Sequence, residues 1–489
     1  MAIAQILGTR GVRAAVELLV LAAALAISSG PYFHAPIIGD EADYAVTGRE
    51  WVLRGALPYR DLYENKPPAA DAWYALFYAT EHGGDAVVRA AVFLGSFASV
   101  AVFRSLAAGL LGAGWGLLAS VLFALLAFSP TLEAGANVEV LMMLPLVAGM
   151  ACAVHGRGEE RRVWWWAAGL FFGVAGTFKQ VAFGPFVAAA YAALSADRGK
   201  DSKERRRDAA ALAGGAALPW IPWIVYFAVH GALGDMLFGI LVEPGRWARI
   251  WFPDAVSRWA GNLAATGAVL GGTLAAAALS FSRRGRSDPA GWLVIRGWIV
   301  AGAVTLALSS QAYRHYWIPF IAPAVLLAAS FLRTLVQEGR RTAALACLAL
   351  SFGGAAWGAL DGWSQESVTK RTPSPGTTEV VKRVRGGSLF VLGTHAEIYL
   401  QGRCEAVTTG VFLYHLASAL HPPAAHAERF LARLRTTPPD WIVADAAFPF
   451  GTLVPDVQKG ILDLLSSNYR EDARFARLIV YRRAKQVPG

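Results

Sequence analysis

Long apolar runs separated by short basic loops leave this chain very few architectures. Backbone N–H and C=O groups find no water inside a bilayer, so a spanning segment is either a helix or part of a closed barrel. The runs here are far longer than the roughly ten residues of a barrel strand, which selects helices. They fall at 13–30, 86–108, 112–129, 136–154, 163–178, 180–195, 209–229, 261–281, 289–309, 317–334 and 342–360. Only 16% of the 489 residues are charged and 55% are hydrophobic, with a mean hydropathy of +0.41. A soluble domain is less apolar and more charged. The expected fold class is therefore an α-helical polytopic membrane protein with about eleven transmembrane helices.

The charge distribution assigns sidedness. Lysine and arginine concentrate in loops 155–162, 196–208, 282–288 and 333–341. All four fall on one side when the N-terminus is cytoplasmic, as the positive-inside rule requires. That explains the net charge of +10 without nucleic acid, which is not an expected partner. The opposite side receives 31–85, 130–135, the hinge at 178–180, 230–260, 310–316 and everything beyond about 361. The apolar N-terminus, preceded by Arg10 and Arg13, lacks a clear small-residue cleavage site and is expected to be a retained span. Cys152, Cys347 and Cys404 form neither a disulfide framework nor a CxxC motif.

The first outer loop, 31–85, carries the densest chemistry. Residues 41–53 suit a helix with Ala42, Ala45, Val46 and Leu53 on one side and acids on the other. Residues 69–80 are too short to span, are rich in Trp and Tyr, and follow Pro67-Pro68. Both suit helices lying in the membrane interface. After Leu360 the pattern changes to short strand-like runs, Ser388–Leu392, Trp441–Ala444 and Phe475–Tyr481, with amphipathic helical patterns at 424–435 and 455–466. The expected domains are thus a transmembrane part, 1–360, and a small α/β part, 361–489, periplasmic or extracytoplasmic. No GxGxxG, Walker or GxSxG motif occurs, so nucleotide binding has no support.

Five outer segments supply the polar side chains. Asp40, Glu41 and Asp43 follow the first span; such carboxylates serve as a general base or metal ligand, or sit on a solvated helix N-terminus. Glu64, Asn65 and Lys66 precede the double proline, where the lysine either neutralises a phosphate or snorkels. Lys179 and Gln180 interrupt the apolar stretch from Val163 to Leu194, facing a polar cavity or marking a turn. Tyr313, Arg314, His315 and Tyr316 precede the span with Pro319 and Pro323, either as a phosphate site or as an aromatic belt. Glu133, Asn137 and Glu139 line the same cavity or cap a helix. In the 230–260 loop, Arg246, Trp247, Arg249 and Trp251 form a lid or an interfacial anchor. Outer segments rich in acids, bases and aromatics, opposite a purely basic inner face, suit a site for an anionic headgroup.

These residues resemble a known family. Gly39-Asp40-Glu41-x-x-Tyr44, then Gly55…Pro58-Tyr59-x-Asp61, then Glu64…Lys66-Pro67-Pro68, are similar to the first outer loop of the GT-C glycosyltransferases. The group is the bacterial branch of the protein O-mannosyltransferases and the lipid A aminoarabinose transferase. Arg314-His315-Tyr316…Pro319 and the glycine-rich Gly169–Gln180 resemble later elements of that group. The resemblance runs from about residue 13 to 360 and loosely beyond. It departs at two positions: that branch has a basic residue where Asp43 stands, and its loop acid directly precedes Lys-Pro, whereas Asn65 intervenes here.

The resemblance implies inverting transfer of a sugar from a polyprenyl-phosphate donor to a hydroxyl of a glycan, lipid or protein acceptor. Transfer would occur at the outer face of the cytoplasmic (inner) membrane, in contact with membrane lipids. It implies Asp40 as general base, Glu41 assisting, and Glu64 as a second base or acceptor-orienting acid. Lys66, Lys179 and Arg314 would hold the donor phosphate, and Tyr44, Tyr59, Asp61, Glu139, His315 and Tyr316 would line the cavity. Some relatives bind a divalent metal near the first acids, which here are Asp40 and Glu41; no other cofactor is implied. Two rivals from other classes are a transporter or flippase of lipid-linked glycans, and a non-catalytic subunit of an envelope assembly. A flippase commonly shows internal repeats and charged midplane helices; the 38–68 pattern has no repeat.

Overall fold

The protein is described by a computed structural model covering residues 9–80, 84–158, 161–195, 200–247, 255–282, 291–307, 313–364 and 372–484. Seven of its helices are long and apolar enough to cross a membrane: α1 (Gly11–Tyr32), α4 (Asp85–Leu111), α6 (Val138–Gly158), α9 (Ser202–Val229), α10 (Val256–Phe281), α12 (Arg314–Gln337) and α13 (Arg341–Gly362). Four shorter apolar helices complete the set: α5 (Ala113–Ala127), α7 (Val163–Phe178), α8 (Gln180–Leu194) and α11 (Trp292–Ala307). Each coincides with one expected span. The chain divides into two compact units, one formed by 1–34, 89–224 and 251–369, the other by 35–88, 225–250 and 370–489.

The first unit is a helical bundle. Its central element is α12, where nearly every residue from Ile318 to Ala329 is buried. Its α-helical part, Ile318–Gln337, carries Pro319 in the first turn, where a missing N–H costs nothing, and Pro323 lies inside it. Helices α7 and α9 touch backbone to backbone: a Cβ on Gly169 would overlap the Leu212 carbonyl, and one on Gly215 would overlap that of Trp166. Small residues permit this approach in membranes. The glycine-rich stretch noted in the sequence is therefore a packing seam. Helix α9 begins at Ser202 on an Asp201–Glu204 capping box, so Lys203, Arg205, Arg206 and Arg207 stand on a helix rather than on the expected loop. Arg283, Arg284 and Arg286 lie outside the described residues, as do Arg249 and Trp251.

The second unit contains the polar loop. Helix α2 (Asp40–Arg54) starts after Gly39 and stops at Gly55, both with positive φ. Gly55 is the left-handed C-cap that glycine adopts without a Cβ penalty. Asp40, Glu41 and Asp43 occupy its first turn, where the helix dipole favours them. Ala42, Ala45 and Val46 are buried as expected, but Leu53 is 58% exposed. The opposite side is not simply a solvated acid face: Thr47, Arg49 and Glu50 are buried too. Both faces of α2 are covered because Arg49 donates to the carbonyls of Tyr399 (3.0 Å) and Cys404, and pairs with Glu50 at 2.7 Å.

Helix α3 (Ala69–Tyr78) crosses α2 at Gly48. A Cβ there would lie 3.0 Å from the amide nitrogen of Ala75 and overlap the Asp71 carbonyl. Gly48→Ala is expected to destabilise the fold by about 1–3 kcal/mol, the usual cost of overpacking. A thermal melt of the purified protein in lipid nanodiscs checks this; an unchanged melting temperature would refute the crossing.

The rest of this unit is a five-stranded sheet in the order β2-β1-β3-β5-β4, formed by β1 (Ser388–Leu392), β2 (Glu405–Ala406), β3 (Trp441–Asp445), β4 (Tyr469–Phe475) and β5 (Leu478–Arg483). β1 pairs parallel with β2 and β3, whereas β5 runs antiparallel to β3 and β4. The expected strand Phe475–Tyr481 is instead the corner of a hairpin, turned at Ala476 with φ 51°. A turn built on a left-handed alanine carries no sequence signal. Helices α14 (Ala424–Thr436) and α15 (Pro455–Asn468) bury Phe430, Leu434, Val457 and Ile461 in one core with Phe390 and Ile442.

Candidate functional site

Two polar clusters stand out, one in each unit. In the helical unit, Lys179 ends α7 in an extended conformation. Its ammonium pairs with the fully buried Glu139 and lies 4.4 Å from the ring centroid of Tyr316. A buried ammonium needs such partners. His315, itself buried, contacts Glu133 through Nδ1 at 3.2 Å and stands 3.8 Å from Glu139 through Nε2. Tyr313 stacks on it with ring centroids 5.4 Å apart. Burial pushes the Glu133 carboxyl up, but the His315 hydrogen bond and the charges of His315 and Arg314 outweigh it and leave it below its ordinary value. Arg314 donates to the side-chain oxygen of Asn262 at 3.1 Å. Asn137 caps the start of α6 by accepting from the Val138 N–H. Lys179, Arg314, His315, Tyr316, Glu133 and Glu139 thus form one network, joined from segments far apart in sequence.

In the second unit, the loop between α2 and α3 is shaped by its own side chains. Tyr59 takes a left-handed φ of 71° and donates its hydroxyl to the Lys66 carbonyl at 2.6 Å. The Asp61 carboxylate accepts from the Leu57 N–H at 2.9 Å and pairs with Arg60. Both residues build the loop. Glu64 accepts from the backbone N–H groups of Asn65 (2.7 Å) and Lys66 (2.8 Å) through one oxygen. The Lys66 ammonium donates to the Asn65 side chain at 2.5 Å. Asn65, which breaks the family's acid-Lys-Pro order, is therefore the residue that holds Lys66. Tyr44 is buried against Tyr74. Asp40 is exposed in the first turn of α2 and Asp43 is partly buried in the same turn.

The sequence did not point to Asp71. It is fully buried on α3, where the charges of Glu64 and Asp43 act on it and its own acts on Tyr59. The available signal was one acid in an otherwise apolar ten-residue helix, three and four residues before the buried Tyr74 and Ala75. Burial first, then the charges of Glu64 and Asp40, raise the Asp43 carboxyl well above its usual range. Burial, then Glu64 and Asp43, do the same for Asp71. Glu64 is raised by burial, and Lys66 with the two backbone N–H groups draws it back down. No cluster of three or more His, Cys, Asp or Glu side chains suited to a metal occurs among the described residues.

Segments from the sheet side brace this loop within the second unit. Tyr63 donates its N–H to the Thr409 carbonyl at 2.5 Å and stacks on His415 at 4.1 Å. Burial pushes His415 down to about 3, so the stacked imidazole stays neutral at ordinary pH. Trp247 donates to the Tyr63 hydroxyl at 3.1 Å, and Arg246 is bound to Glu243 and to the carbonyl of Leu420. In this segment the basic and aromatic residues are anchored, not loose.

Residues 65–226 match the model of the dolichyl-phosphate-mannose-protein mannosyltransferase family. The structure is similar to ArnT from Cupriavidus metallidurans bound to undecaprenyl phosphate, with TM-score 0.68 and 18% identity over 96% of this chain and 98% of that one. It is also similar to the Archaeoglobus fulgidus oligosaccharyltransferase, at TM-score 0.59 and 11% identity over 88% and 69%. The oligosaccharyltransferase AglB of that organism, in complex with an inhibitory peptide and a dolichol-phosphate, gives TM-score 0.56 and 10% identity over 97% and 74%. The chain thus shares the fold of ArnT and of the archaeal oligosaccharyltransferase. No curated protein matches the sequence. The shared fold bears out the expected fold class, a set of apolar helices long enough to cross a membrane with a small C-terminal sheet region.

Proposed function

We propose that this protein transfers a sugar, with inversion, from a polyprenyl-phosphate donor to a hydroxyl acceptor at the outer face of the cytoplasmic membrane. The carrying observation is the ordered loop of the second unit, where Asp40 stands exposed at a helix N-terminus and Glu64 and Lys66 are held in fixed orientation. ArnT bound to undecaprenyl phosphate and AglB with a dolichol-phosphate share this fold, which supports a lipid-phosphate donor here. Asp40 takes the acceptor proton as general base, assisted by Glu41, and Glu64 orients the acceptor. Lys66, Lys179 and Arg314 stabilise the charge that develops on the departing lipid phosphate. The acceptor is a glycan, lipid or protein.

The decisive test supplies polyprenyl-phosphate sugars and an acceptor panel to the purified protein. Wild type is expected to transfer sugar and Asp40→Asn is expected not to. Movement of lipid-linked glycan across vesicles, surviving Asp40→Asn and without any sugar transfer by wild type, would establish a flippase instead. The four basic segments support a cytoplasmic N-terminus and an extracytoplasmic sheet domain. Cys404 is fully buried and useless as a label site. A Ser466→Cys variant places a thiol on the exposed face of α15. An impermeant maleimide is expected to reach it in spheroplasts; labelling only after lysis would reverse the orientation.

A further inference from the structure

Asp71 is an acid with nowhere to send its charge. It is 0% exposed, and neither carboxylate oxygen meets a hydrogen-bond donor. An isolated buried carboxylate is among the costliest groups a fold can carry. The buried Glu64 presents the complementary vacancy: one oxygen accepts from two backbone N–H groups, while the other has no donor. Two ionised carboxylates cannot bond to each other. With one proton between them they can, and the orphaned Glu64 oxygen and one Asp71 oxygen then become partners.

We propose that Asp71 holds Glu64 through a single shared proton, as a positioning residue that aims the Glu64 carboxylate. The charged and titratable groups around the pair favour this placement of the proton. From the loop, Lys66 and the two N–H groups favour charge on Glu64; from α2, Asp43 disfavours charge on Asp71; Tyr59 is the remaining titratable neighbour. The proton therefore rests on Asp71, which donates, and Glu64 accepts. Gly48 lets α3 approach α2 closely enough to seal the pair from water. The assignment of Glu64 to the acceptor rests on the proposed transferase activity, but the shared proton does not.

The test uses the full-length protein in lipid nanodiscs. Infrared spectra near neutral pH are expected to show a protonated-carboxyl C=O band that vanishes in Asp71→Asn and shifts in Glu64→Gln. A folded group with a raised pKa loses stability as pH climbs, and an asparagine does not titrate. The melting temperature of Asp71→Asn minus that of wild type is therefore expected to grow from about pH 5 to about pH 9. Asparagine still donates an N–H, so Asp71→Asn should transfer sugar within about threefold of wild type. Asp71→Ala should lose on the order of 10- to 100-fold in kcat with a smaller effect on KM, as misaimed groups do. Absence of an Asp71-dependent band, or a melting difference independent of pH, would overturn the shared proton. Wild-type kcat in Asp71→Ala would overturn the positioning role. The spectra and melts do not depend on transfer, so failure of the transferase proposal would be seen separately.

Discussion

Asp40→Asn is expected to lower sugar transfer by about 10²–10⁴-fold, the usual contribution of a positioned general base, while barely moving the melting temperature. The asymmetry follows from placement. Asp40 is exposed at the first turn of α2 and accepts no structural hydrogen bond that the fold depends on. Asparagine keeps its shape and suits a helix N-terminus, so the stability cost is the lost dipole interaction, about 0.3–1 kcal/mol. Asp43→Asn provides the contrast. Burial and the charges of Glu64 and Asp40 raise the Asp43 carboxyl well above the usual carboxylate range. Replacing it should stabilise the protein and leave transfer within about tenfold of wild type. Kinetics of both variants with one donor and one acceptor decide the matter. If Asp43→Asn abolishes transfer and Asp40→Asn does not, the base has been misassigned.

The second large effect concerns the buried ion pair. Glu139→Leu leaves the Lys179 ammonium, 12% exposed, without its carboxylate. Removing one partner of a buried pair costs about 3–5 kcal/mol, enough to lower the yield of folded protein sharply. Lys179→Met combined with Glu139→Leu should recover most of that stability, because neither charge is then stranded. The double variant also separates structure from chemistry. If Lys179 contacts the donor phosphate, the double variant will be stable and transfer-deficient; if the pair only braces α7 against α6, it will be stable and active. Thermal melts and transfer rates together read out both terms.

Much of the architecture was legible in one dimension, for a physical reason. A bilayer imposes apolar segments about twenty residues long, and that demand is written locally. Hence every expected span corresponds to a helix, as do the loop helices near 41–53 and 69–80. The misses share another cause. The hairpin at Ala476 depends on a backbone conformation that alanine rarely adopts. The exposure of Leu53 and the burial of Glu50 depend on which segment covers α2, and that segment is 350 residues away.

Legible from the residues alone were the apolar segments, the clustering of basic residues between them and the loop that carries the acids. These are properties of composition along consecutive residues. What surrounds those acids is a matter of long-range packing. That packing paired Lys179 with Glu139 across 40 positions, assigned Asn65 to hold Lys66, and brought Asp71 from an unremarked helix to Glu64. A carboxylate's role depends on its solvent, its partners and its proton, and in the opening loop all three are supplied by α3 and the turn before it.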